Sequence, residues 1–297
     1  MEHSVTVSVV IPLYNAVEVI AETIQSVLAQ TWTDREILVI DDGSTDGSAE
    51  VVKLFGDRVR YYAFENGGVA KARNRGIALA QGRYIALLDH DDLWDETKLE
   101  KQVCVLDARP EVGMVITEIG HLDREGRPTG EVAKAYDAAD PFYGLFVKGY
   151  APTPSAAMIR KSILETVGGF DESFNSAGMD DHELWPRIAA VTEIASISEV
   201  LTFHRSRSRM PADIGLGHRL ILIQKLQRGF GHDPKKNRYL LCEEARYLSD
   251  MGKHLVKEGR YTEGRSCLVR GLRKSLTDAR SPKIAWRCFL RLVKSYG

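Results

Sequence analysis

The sequence predicts an α/β protein: a Rossmann-like, mostly parallel sheet flanked by helices, with an all-helical extension at the C-terminal side. Three observations carry this. Short β-branched runs alternate with helical stretches of about 10–15 residues through the first hundred positions, the signature of βαβ crossovers. Turn residues (Pro12, Asp41-Asp42-Gly43-Ser44, Gly67-Gly68, Gly82) punctuate the runs. From about Gly215 the apolar spacing becomes wholly helical. The expected division is 1–214 for the α/β domain and 215–297 for the helical extension.

Each element follows from its residues. Residues 5–11 form a buried-strand run that Pro12 should end, and Val17, Ile20, Ile24, Val27 and Leu28 recur at helical spacing. Residues 36–40 are a second buried strand. Asp46 is placed to cap a helix through Val51, Val52 and Leu54. Residues 59–64 read as a third strand, a helix should run from Gly67-Gly68 to about Ala80, and residues 83–88 read as a fourth strand. A helix over 95–108 follows. Between 112 and 205 the pattern loosens: strands are expected over 112–117, 156–159 and 195–203, a turn at 123–126, and a helix over 180–190 with Pro186 inside it. Beyond 215, stripes over 220–226, 239–256, 261–274 and 284–293 read as helices. Gly259 marks a hairpin, and no fixed period supports a solenoid.

Composition narrows the class. Hydrophobic residues make up 44% and charged residues 27%, enough apolar content for a packed core and against disorder. The net charge of -1 hides an asymmetry. Residues 251–297 hold 12 Lys/Arg against 3 Asp/Glu, a local charge of +9, so the preceding 250 residues carry -10. The four cysteines are scattered, without zinc spacing, and read as reduced core residues of a cytoplasmic protein. No basic n-region precedes the first strand, so no secretory signal is expected. No apolar run approaches the ~20 residues that span a bilayer.

In open parallel sheets ligands bind at the carboxyl ends of the strands. That edge should gather Pro12-Leu13-Tyr14-Asn15, Asp41-Asp42-Gly43-Ser44, Asn66-Gly67-Gly68 and Asp89-His90-Asp91-Asp92. Neither a GxxxxGK[ST] nor a strand-borne GxGxxG loop is present, so phosphate has no glycine-rich cradle. Carboxylates repel phosphate and need a divalent cation between. Three carboxylates within four residues repel one another unless neutralised, and oxygen donors without thiols favour magnesium or manganese. Capping of the following helix accounts for one Asp, not three.

These residues carry a resemblance. The segments Val9-Val10-Ile11-Pro12-Leu13-Tyr14-Asn15, Gln30-Thr31-Trp32, Glu36-Ile37-Leu38-Val39-Ile40-Asp41-Asp42-Gly43-Ser44-Thr45-Asp46, Ala72-Arg73-Asn74-Arg75-Gly76 and Asp89-His90-Asp91-Asp92-Leu93-Trp94 stand in one order over about 5–105. Gly168-Gly169-Phe170-Asp171-Glu172 and Asp180-Asp181-His182-Glu183-Leu184-Trp185 extend the likeness to about Arg205. The chain resembles family 2 glycosyltransferases of the GT-A fold. The resemblance implies an enzyme, a metal-dependent inverting hexosyltransferase of bacterial-type polysaccharide or glycoconjugate assembly. It would use a nucleotide-diphosphate sugar, expected to be a UDP-sugar, and an acceptor hydroxyl on a glycan or lipid-linked molecule.

It also implies roles. Pro12, Tyr14 and Asn15 would line the nucleoside pocket, Asp42 would accept from the base N–H, and Arg73 would lie near the nucleotide. Asp89 and Asp91 would form the D-x-D element, with Asp91 and Asp92 holding Mn2+ or Mg2+ on the diphosphate and His204 completing the shell. Asp181 would be the general base, with Asp180 and Trp185 on the acceptor side. Asp180 stands where Glu is usual and Pro186 where an aliphatic residue is usual. The processive members' Q-x-x-R-W element is absent, so a polymer-extruding synthase is not expected.

Residue chemistry leaves alternatives. Tyr14 is a stacking ring or a half-buried core ring, and Asp41 or Asp42 serves the turn. Asp181 is a base or a helix cap, and His204 a ligand or a surface residue. The basic C-terminal helices suit an anionic membrane contacted peripherally, a solvated bundle face or an acidic partner. Nucleic acid is not expected, because aromatics do not interleave with the charges. The competing functions are a nucleotidyltransferase, which would carry a glycine-rich loop with Lys near the first strand, and a sugar-nucleotide-binding scaffold on an inactive fold.

Overall fold

The computed structural model of the protein describes residues 5–134, 140–144, 152–177, 179–205 and 212–296. The chain divides into two compact units, Met1–Arg207 and Ser208–Gly297.

In the first unit the described residues form one nine-stranded sheet in the order β3-β2-β1-β4-β8-β6-β9-β5, with β7 also on β6. The strands are β1 Val7–Leu13, β2 Arg35–Asp41, β3 Arg60–Ala63, β4 Tyr84–Leu87, β5 Leu93–Trp94, β6 Val112–Leu122, β7 Pro128–Ala133, β8 Ala157–Arg160 and β9 Glu193–Arg205. The helices are α1 Ile20–Leu28, α2 Ser48–Lys53, α3 Val69–Leu79, α4 Lys98–Ala108, α5 Lys161–Val167 and α6 Asp180–Ala189.

Strand β1 explains the architecture. Val7, Val9, Ile11 and Leu13 pack into one core with Ile20, Ile24 and Val27 of α1 and Leu99 and Val103 of α4. Val10 faces the other core, with Ala70 and Ala72 of α3 and Leu184, Trp185 and Ile188 of α6. Burial on both faces produces the uninterrupted apolar runs. Pro12 does not end β1 but pairs opposite Ile40. Its missing N–H is tolerated because the ladder to β4 stops at Val10 and Leu87.

The sheet is mixed, not mostly parallel. β1 is parallel to β2 and β4, β2 to β3, and β6 to β9. β8 is antiparallel to both β4 and β6, β5 to β9, and β7 to β6. An apolar run buried on both faces reads alike in either direction, so its spacing leaves strand direction open. The expected cap at Asp46 falls one residue early: Gly47 caps α2, while Asp46 Oδ1 accepts from the Ser48 N–H at 3.0 Å. α6 continues through Pro186. Cys104 lies exposed on α4 and only Cys288 is buried, so the cysteines are not uniformly core.

Lys98 is buried with no carboxylate paired to it among the described residues: its ammonium donates to Gln102 Oε1 at 2.8 Å and sits 4.0 Å from the centre of the Trp94 ring. Burial pushes its pKa well below the ordinary 10.5. The folded chain therefore releases this proton more readily than the unfolded one. The destabilisation is full below the native pKa and vanishes as pH rises to the unfolded value. Urea unfolding across alkaline pH should show stability rising through that window, and Lys98→Met should flatten the rise. An unchanged slope in the variant would refute this.

The second unit holds α7 Ala212–Phe230, α8 Pro234–Lys257, α9 Tyr261–Thr277 and α10 Pro282–Lys294. Asp233 caps α8 by accepting from the Lys235 and Lys236 N–H groups, with Pro234 at the first helical position. Gly259 turns the chain between α8 and α9 at φ 78°. No helix among the described residues is long and apolar enough to cross a membrane.

Candidate active site

The parallel strands β1 to β4 end on one edge, and there a cleft of about 550 Å³ opens, lined by Pro12, Tyr14, Asp42, Arg73, Asp89, Asp180, Asp181 and His204 among others. Asn15, Asp91, Asp92 and Trp185 are not on its wall.

The β1 end is built by short polar ties. The Pro12 carbonyl accepts from His90 Nδ1 at 3.0 Å, which joins the first strand to the acidic loop after β4. Tyr14 is 48% exposed, so it is no core ring. Asn15 adopts φ 45°; its N–H donates to Ser44 Oγ at 3.0 Å and its Oδ1 accepts from the Thr45 N–H at 2.8 Å. It holds the loop after β2 against the loop after β1.

The adjacent Asp41 and Asp42 divide their work. Asp41 makes the turn, accepting from the Ser44 N–H at 2.8 Å and from the Tyr61 hydroxyl at 2.6 Å. Asp42 accepts from the Gly67 N–H at 2.9 Å and the Gly68 N–H at 2.7 Å, with Arg75 at 3.2 Å. Gly68 has φ 90°, and a Cβ there would lie 2.5 Å from Asn175 Cγ. Asn175 accepts from the Ala70 N–H at 2.7 Å and donates to the Gly67 carbonyl at 2.8 Å, clamping the entry to α3.

Arg73, on α3, is buried and gives one guanidinium nitrogen to Asp180 and another to Asp89. Burial opposes its charge, but Asp89 and Asp180 outweigh burial and raise its pKa. Asp180 is itself raised, by burial first and by Asp181 and Asp89, against the pull of Arg73. One cation is thus shared by three carboxylates. Asp181 lines the cleft at the start of α6, and its Oδ1 accepts from the His182 N–H at 2.7 Å.

The acidic loop splits too. Asp89 faces the cleft, whereas Asp92 is 1% exposed. Asp92 accepts from Ser155 Oγ at 2.5 Å and from the Arg205 N–H at 3.0 Å. Burial, with Asp89 and Asp91 nearby, raises its pKa well above the carboxylate range. Asp91 is buried, and its carbonyl accepts from Arg205 Nε at 3.1 Å. None of these residues caps α4. Its cap is Thr97, whose own N–H is held by Asp95. His204, at the end of β9, lines the cleft and meets His121 edge-on at 5.7 Å.

Among the described residues no group of three or more His, Cys, Asp or Glu is arranged to hold a metal ion. In donor chemistry Asp89, Asp91 and His204 suit a hard divalent cation. Asp92 does not, since each of its carboxyl oxygens already accepts within the core. Trp185 also stands behind the cleft. Its indole N–H donates to the Pro152 carbonyl at 3.0 Å, and the next residues, Thr153 and Pro154, form cleft wall. It braces that wall from the core and does not offer a surface.

Of the other cleft residues, Asn175 has no signal in the sequence, and Thr153 and Pro154 have only a weak one. Asn175 sits in a 3-10 turn without periodic signal, while Pro152 and Pro154 bracketing Thr153 were the available hint of a rigid loop.

The sequence model described as "Glycosyl transferase family 2" matches residues 8–168, and one described as "Glycosyltransferase like family 2" matches 129–228. An uncharacterized glycosyltransferase of Rickettsia typhi is 30% identical over 264 residues, covering 86% of this chain and 82% of that protein. S. aureus TarS in complex with UDP-GlcNAc superposes with a TM-score of 0.70 at 16% identity, over 98% of this chain and 89% of that one. The mannosyltransferase PcManGT from Pyrobaculum calidifontis, in complex with GDP-Man and Mn2+, gives 0.58 at 20% identity, over 98% and 86%. At these identities the two structures establish the fold.

Proposed function

The chain belongs to glycosyl transferase family 2, and on that footing we propose that it moves a sugar from a nucleotide-diphosphate donor to an acceptor hydroxyl with inversion at the anomeric carbon. The observation that carries this is one cleft, at the strand ends, onto which Asp89 and Asp181 both open from different elements.

Tyr14 offers its exposed ring to the base, over Pro12. Asp42, fixed by the Gly67 and Gly68 amides, accepts from a base N–H through a remaining lone pair. Asn15 shapes this subsite by holding its loop. A UDP-sugar is the donor we expect. TarS holds UDP-GlcNAc and PcManGT holds GDP-Man on the same fold. Asp89, Asp91 and His204 would hold Mn2+ or Mg2+, which neutralises the leaving diphosphate when bound.

Asp181 takes the proton from the acceptor hydroxyl. Both Asp180 and Asp181 line the cleft, and what favours Asp181 is exposure: Asp180 is buried and ion-paired with Arg73, whereas Asp181 is partly exposed. The acceptor we propose is a hydroxyl on a glycan or lipid-linked molecule.

A thermal-shift panel of UDP-, GDP- and dTDP-sugars with and without Mn2+ tests the donor site. A ligand at about 100 times its Kd stabilises by ~2.7 kcal/mol, well within detection. The expected result is stabilisation by one nucleotide class, enhanced by Mn2+ and deprived of that enhancement by Asp91→Ala. No response to any sugar nucleotide would overturn the reading. An intact Mn2+ response in Asp91→Ala would remove Asp91 from the metal set.

A further inference from the structure

The last helix has two apolar faces. One turns inward, where Ala285 and Cys288 are buried and a Cβ at Gly271 of α9 would lie 3.3 Å from Cys288 Sγ. The other is exposed. Trp286, Phe289, Leu290 and Val293 recur at i, i+3, i+4 and i+7 and are 61%, 44%, 41% and 54% exposed. That spacing is the mark of a helix face made to be covered. The Trp286 and Phe289 rings stack at 5.6 Å, and the exposed Tyr296 follows, with the Arg265 guanidinium 3.9 Å from its ring centre.

Cations border this stripe. On a helical projection Lys283, Arg287 and Lys294 fall together along one flank, all three exposed. Arg291 points elsewhere, to Asp250 at 2.5 Å and Ser249 at 2.9 Å. The exposed basic flank is thus additional to the cation used in packing.

We propose that the outer face of α10 docks the chain on an anionic lipid bilayer, with Trp286, Phe289, Leu290 and Val293 at headgroup depth and Lys283, Arg287 and Lys294 on lipid phosphates. Geometry sets the mode: 13 residues cannot span a bilayer, but an amphipathic helix with aromatics on one side and cations at its border lies in the interface. Charge selects the occupant. A second copy would bring one +9 segment against another, whereas an anionic surface complements it. The inference stands apart from the transferase reading and uses no residue of the cleft.

The test is sedimentation of the full chain with phosphatidylcholine vesicles, with and without phosphatidylglycerol. Binding should require phosphatidylglycerol and weaken with salt. Replacing all three flank cations (Lys283→Gln, Arg287→Gln, Lys294→Gln) should weaken binding by roughly 100-fold, since each cation near such a surface contributes about fivefold. Trp286→Ser with Phe289→Ser should abolish binding even at low salt. All five side chains are exposed, and an unchanged thermal melt will show that the fold is kept. Failure to bind anionic vesicles, or binding indifferent to both variants, overturns the proposal. A dimer that Trp286→Ser dissociates, with no vesicle binding, would give the face to a second copy and also overturn it.

Discussion

Replacing Asp181 by Asn is expected to cut turnover by ~10²–10⁴-fold, the usual contribution of a positioned base, while donor affinity stays within about twofold. Asn keeps the shape of the side chain and can keep the hydrogen bond from the His182 N–H. What it loses is the capacity to accept the acceptor proton. Calorimetric titration of the donor, set beside release of the nucleoside diphosphate, separates the two effects. Loss of donor binding together with rate would make Asp181 a binding residue. Unchanged turnover would move the base elsewhere, and the neighbouring acids are poorly placed to replace it. Asp180 is tied to Arg73, and Glu183 is buried against Arg187 at 2.5 Å.

Arg73→Met should be the most destabilising single change in the cleft, by about 3–5 kcal/mol, the range for breaking a buried ion pair from one side. Asp180 would be left buried without its cation, and Asp89 would lose its anchor. For a unit of this size that corresponds to a fall of roughly 10 °C in Tm. Adding Asp180→Asn should restore part of the loss, because it removes the stranded charge. Arg73→Lys should not rescue fully, since an ammonium lacks the planar fork that reaches two carboxylates at once. A loss below about 1 kcal/mol in Arg73→Met would show that the network tolerates the missing cation. Arg73 was expected beside the nucleotide. It does line the cleft, but both its ion pairs are internal, and its first effect is to hold Asp89 and Asp180 in place.

The family and the order of its motifs were legible because they are local. The runs that became β1, β2 and β4, the Asp41-Asp42-Gly43-Ser44 turn and the acidic loop after β4 are each written in consecutive residues. The same holds for the helical patterning after Gly215, where apolar spacing is enough to draw a helix. The two-residue β5 and the exposed β7 were not legible. The first is too short to show a period, and the second buries no residue that could betray one.

By itself, then, the sequence determined which polar segments follow the strands, although Pro12 stays inside β1, and that three carboxylates gather after β4. It could not determine which of them meet the cleft. Asp89 and Asp92 are three positions apart in one loop, yet one faces the opening and the other is buried under Ser155 and the Arg205 amide, partners 63 and 113 residues away. Trp185 and Asp181, one helical turn apart, are parted in the same way by the Pro152 carbonyl. Strand direction belongs to this second group, since β8 between β4 and β6 reads alike whichever way it runs. The physical reason is common to all three. Periodicity is a property of neighbours along the chain, whereas burial and ionisation depend on groups that only the folded backbone brings within reach.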